Sequence, residues 1–106
     1  MGRYVIVAYR PFPGKEQQLL DLTSEHLPIL RSQGLATERA SYVMRAADGT
    51  IIECFEWKSA DAIAAAHQNP VWQEMCGHYS EVCEYIPLEN LDECKKMFAE
   101  FESVEL

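Results

Sequence analysis

The sequence predicts an α+β fold, a four-stranded antiparallel sheet of the split βαβ kind, carried by one domain spanning residues 1–106. Three observations lead there. A β-rich opening segment precedes a helical stripe, an Asp-Gly pair joins two further β-rich segments, and a capped helix pair leads into a last short strand. With 48% hydrophobic and 25% charged residues, a chain of this length carries one ordinary core and no disordered tract.

The first strand covers Tyr4 to Tyr9 and ends before Pro11. Tyr4, Ile6 and Ala8 face one way and Val5, Val7 and Tyr9 the other, so both faces need cover. Pro13-Gly14 breaks the chain, after which Leu19, Leu22, Leu27 and Leu30 stripe a helix over Lys15 to Gln33. Pro28 removes a backbone donor and is expected to kink or interrupt that helix near Leu27, and Gly34 suits its end.

Ser41 to Ala46 and Ile51 to Trp57 flank Asp48-Gly49, the signal for a two-residue hairpin turn. That turn sets Met44 opposite Glu53, Tyr42 opposite Phe55 and Ala40 opposite Trp57. Glu53 is then the one acid on an apolar, aromatic face. It is either a pocket acid or the partner of an arginine such as Arg45 or Arg39.

Ser59 caps a short Ala-rich helix ending near Gln68, and Asn69-Pro70 starts another in which Trp72, Met75, Tyr79 and Val82 recur at helical steps. Those side chains serve either as plain core or as walls of a ligand site. Cys83 to Leu88 reads as an edge strand, because Pro87 cannot donate to a ladder. Leu91, Cys94, Phe98 and Phe101 then stripe a terminal amphipathic helix, and Glu100 to Glu105 is a solvated acidic face. The resulting order is ferredoxin-like. Helices cover one face of its sheet, and a second copy of the chain is the simplest cover for the other.

Nine Lys and Arg against 17 Asp and Glu leave a net charge of -8, which repels phosphate backbones and anionic lipid and argues against nucleic-acid or membrane partners. No apolar run approaches the roughly 20 residues of a membrane span. The N-terminus lacks signal-peptide regions, and a cytoplasmic location is expected. Cys54, Cys76, Cys83 and Cys94 show no close pairing, and Cys76 and His78 point to opposite sides of a helix, so neither disulfides nor a metal site are expected. His26 and His78 carry no motif and read as surface or helix-end residues.

Glu56-Trp57-Lys58-Ser59, followed by Asp61-Ala62 and then His67-Gln68-Asn69-Pro70-Val71-Trp72, resembles the antibiotic biosynthesis monooxygenase family. The resemblance implies a dimeric α/β barrel, in which two four-stranded sheets pack together and a pocket lies between each sheet and its helices. It also implies a homodimer that oxidises a small phenolic or quinol-type substrate with O2, without metal, flavin or other cofactor. His67 is then the general base, with Trp72, Tyr79, Phe55 and Glu53 in the substrate site. Position His67 suits a helix-end cap equally well. A related haem-degrading branch carries Asn, Trp and His about where this chain has Tyr9, His67 and Cys76, so that activity is disfavoured. A non-catalytic, stress-responsive or ligand-binding dimer is the alternative from another class. An isomerase or lactone-processing enzyme is a third reading.

Overall fold

A computed structural model describes residues 1–106. The elements run β1 (Arg3–Pro11), α1 (Glu16–Ser32), β2 (Tyr42–Arg45), β3 (Ile51–Trp57), α2 (Ala60–Ala66), α3 (Pro70–Val82), β4 (Cys83–Ile86) and β5 (Glu102–Val104). They form an α+β structure with one antiparallel sheet in the order β4-β1-β3-β2-β5. The sheet has five strands rather than the expected four. Its fifth comes from the acidic C-terminus, where Val43 pairs with Val104.

Alternation divides the sheet into two unlike faces. Val5, Val7 and Tyr9 of β1 share one face with Ile51, Glu53, Phe55 and Trp57 of β3. α1 and α3 cover it. Leu19 of α1 joins Tyr9, Ile51, Met75, Tyr79 and Val82 in one cluster, while Leu27 and Leu30 join Phe55 and Trp57 in a second. Burying a leucine such as Leu19, 0% exposed, contributes about 1.5–3 kcal/mol.

The opposite face is covered at one end only. There Leu91, with Leu88, Cys94 and Phe101, packs on Ala8, Ile52 and Met44. At the other end Tyr4, Ile6 and Tyr42 remain 53%, 52% and 62% exposed. The C-terminal segment is not the expected amphipathic helix. It forms two 3₁₀ turns, Leu88–Asn90 and Asp92–Lys95, before β5. The 3₁₀ turns and β5 lay Leu91, Cys94 and Phe101 against the sheet, and Phe98 of the expected stripe stays exposed.

Two local expectations are also corrected. α1 runs unbroken through Pro28. The proline ring lies on the exposed side, where water can serve the carbonyl freed at Ser24, while Leu27 and Leu30 stay docked on the inner side. The β2–β3 hairpin pairs Val43 with Glu53 and Tyr42 with Cys54, one residue from the expected register. Its loop closes between Ala46 and Thr50, with Gly49 at φ 93°, so the turn contains three residues rather than two. The slip exchanges the faces of β2 and puts Tyr42 outside.

The predicted caps are present. The Ser59 side chain accepts from the Ala62 amide, and Asn69 accepts from the amides of Val71 and Trp72. β4 is an edge strand, as Pro87 suggested. No helix is long and apolar enough to cross a membrane.

Candidate functional site

Between the helix-covered face of the sheet and the helices lies a cavity of about 270 Å³. Strands supply Val5, Val7 and Tyr9 from β1, Phe55 and Trp57 from β3, and Tyr85 from β4. Helix α3 supplies Trp72, Met75, Cys76 and Tyr79 on successive turns, since a start at Asn69-Pro70 fixes the phase that aims positions 72, 75, 76 and 79 inward. The last lining residue is His26 of α1. Tyr85 is exposed and Trp72 half-buried, which marks the mouth. Tyr9, Phe55 and Tyr79 form the buried floor.

Aromatic contacts order that floor. The rings of Tyr9 and Tyr79 stack with centroids 4.8 Å apart and planes 18° from parallel. His26 meets Phe55 and Tyr79 edge-on, each at 5.4 Å.

Glu53 is 2% exposed and binds two donors. The Tyr9 hydroxyl donates to its Oε1 at 2.7 Å, and His26 Nδ1 lies 3.0 Å from Oε1 and 3.3 Å from Oε2. A carboxylate only accepts, so with Glu53 in that form Nδ1 is the donor of this contact. Nε2 makes no hydrogen bond to the protein, and the His26 ring lines the cavity. A buried acid thus holds the imidazole ring in place at the cavity wall.

The remaining hydroxyls of the floor turn away. Tyr79 donates to Thr23 Oγ1 at 3.2 Å, and Thr23 in turn donates to the Leu19 carbonyl at 2.9 Å. Burial first, and the nearby Glu53 charge second, push the phenols of Tyr9 and Tyr79 above their ordinary range. Both are donors and poor acids. Burial likewise raises the Cys76 thiol at the cavity wall, and Cys83 is pushed up to about 11. All four cysteines are free, and no cluster of three or more His, Cys, Asp or Glu is placed to hold a metal ion.

The structure brings together some of the residues singled out from the sequence and separates one. Trp72, Tyr79 and Phe55 line the cavity, and Glu53 stands directly behind His26. His67 is the exposed C-cap of α2, its ring edge-on to Trp72 at 4.9 Å, and it does not line the cavity. Glu53 pairs with neither suggested arginine. Arg45 reaches Glu16 and Glu102, and Arg39 reaches Glu56. His26, read as a surface or helix-end residue, is 7% exposed in mid-helix. The signal that could have found it is phase: position 26 falls in the buried stripe of Leu19, Thr23 and Leu30.

Comparison with known families, with characterised proteins and with solved structures finds no match for this chain.

Proposed function

We propose that the chain is a cofactor-independent monooxygenase acting on a small aromatic or quinol-like molecule, with His26 as its base. The observation that carries this reading is the 3.0 Å contact of His26 Nδ1 with buried Glu53 at the wall of an aromatic cavity. The sequence resemblance to the antibiotic biosynthesis monooxygenase family agrees with it; because His67 caps α2 and does not line the cavity, this reading gives the role of base to His26 instead.

Chemically, such a site removes a proton from an electron-rich substrate and holds the anion flat against aromatic walls. For an activated CH2 between two aryl groups, Nε2 takes one proton and the carbanion passes an electron to O2. The two radicals join as a peroxide anion, which recovers the proton from His26. Loss of water then leaves a ketone, with one oxygen atom in the product and one in water. Glu53 steadies the imidazolium while it exists, and Tyr9 fixes Glu53.

We propose in addition a homodimer of ferredoxin-like subunits. The order β4-β1-β3-β2 with α1 and α3 on one face supports the subunit fold. Exposed Tyr4, Ile6 and Tyr42 on the other face support a second sheet packed there.

Oxygen uptake by chelator-treated protein with hydroquinones and anthrones tests the activity. Uptake that requires substrate and is lost in His26→Ala is expected. Ligand binding without uptake for any compound would leave a binding protein, and product formed without O2 would indicate an isomerase.

A further inference from the structure

The cavity has an unusual inventory of polar atoms. Its wall contains no Lys, Arg, Asp or Glu. The two tyrosines of its floor spend their hydroxyls outward, Tyr9 on Glu53 and Tyr79 on Thr23. Deep in the cavity the one basic side chain is His26, nine-tenths buried and lining the space, with one ring nitrogen in no protein hydrogen bond. Behind it stands the carboxylate of Glu53.

From this we infer that the site discriminates by charge: it takes an aromatic ligand as the neutral molecule and rejects the same skeleton carrying a permanent negative charge. The inference rests on the reading of His26 as the base. A neutral phenol or enol arrives uncharged, donates to Nε2, and on ionisation leaves a positive charge on the imidazole beside its own oxyanion. The pair stays neutral within the cavity. A carboxylate or sulfonate on the ring would give up its water with no cation to meet it, and Glu53 would repel it from behind His26. An unpaired buried charge is among the costliest groups to accommodate. The volume of about 270 Å³ lies below the usual range for drug-sized ligands, which favours a compact ring system over a chain-bearing one.

The decisive comparison titrates 2-naphthol and 3-hydroxy-2-naphthoate into the full chain, followed by quenching of Trp57 and Trp72 fluorescence. Naphthol is expected to bind about 100-fold more tightly, a difference of about 2.7 kcal/mol. The selectivity should persist at high salt, because it comes from desolvation inside the cavity and not from the net charge of the chain. Tyr85→Arg, which puts a cation at the exposed mouth, should recover binding of the carboxylate. Equal or tighter binding of the carboxylate by the unaltered protein overturns the inference, and so does failure of both compounds to bind. Selective naphthol binding without any oxygen uptake would uphold this inference while refuting the oxygenase reading.

Discussion

Glu53 Oε1 meets His26 Nδ1 at 3.0 Å, and the ring held by this contact lines the cavity with its Nε2 in no protein hydrogen bond. β3 supplies the acid and α1 the imidazole, 27 residues apart in the chain. Packing α1 on the sheet therefore brings the imidazole and the acid together.

Removal of the imidazole should affect turnover and leave the fold intact. His26→Gln is expected to lower the rate of oxygen uptake by about 10²–10⁴-fold, the usual contribution of a positioned general base. His67→Ala, at the exposed end of α2, should leave the rate unchanged. Steady-state oxygen consumption with one hydroquinone reads both variants, and the reverse ranking would return the base role to His67.

Removal of the acid should cost stability. Glu53→Ala strands the Tyr9 hydroxyl and His26 Nδ1 in a buried place, with an expected loss of about 2–6 kcal/mol, about 1–3 kcal/mol for each donor left unpaired. Tyr9→Phe removes one of the two donors and should cost about 1 kcal/mol. Urea midpoints at constant slope measure both. A Glu53→Ala protein as stable as Tyr9→Phe would show that the network holds little.

Alkaline pH should unfold the protein through its buried phenols. Tyr9 and Tyr79 titrate above the ordinary value of 10.0 in the folded chain, so the folded state keeps protons that the unfolded state gives up. Their contribution is complete below about pH 10 and falls as pH rises beyond it. The melting temperature should therefore hold up to about pH 10 and fall progressively as pH rises beyond it, and Tyr79→Phe should flatten that fall. Phenolate absorbance appearing together with unfolding, and not before it, is the accompanying signature.

The exposed end of the sheet should hold two copies together. Ile6→Lys and Tyr42→Glu alter residues that are more than half exposed in the single chain, so monomer stability should change by less than about 0.5 kcal/mol. Light scattering at micromolar concentration should give twice the chain mass for the unaltered protein and a single chain mass for the double variant. A monomeric unaltered protein would contradict the proposed dimer.

Much of the fold was legible because local chemistry and burial agree along the chain. Ser59 and Asn69 cap the helices they were expected to cap, and the stripe Trp72, Met75, Tyr79 fixed which side of α3 faces the sheet. Where the reading slipped, a distant contact outweighed a local signal. Asp48-Gly49 pointed to a two-residue turn, but the loop also takes in Ala47 and pairs Ala46 with Thr50. Pro28 signalled a break that the docking of Leu27 and Leu30 overrides. Leu91, Cys94 and Phe101 have helical spacing yet lie along the sheet. The candidate site was half legible. Phe55, Trp72 and Tyr79 read as either plain core or pocket walls, and Glu53 stood out as a lone acid. Its partner His26 belongs to no motif, and only the phase of α1 reveals that it points inward.

The most direct test of His26 as the base is the charge state of a ligand in the cavity. A nitrophenol whose phenolate absorbs at longer wavelength than the phenol can be bound to saturation near its own pKa. The spectrum should shift toward phenolate in the unaltered protein, and His26→Gln should return it to phenol while binding persists. Identical spectra for the two proteins would contradict proton transfer to His26, and with it the proposed mechanism.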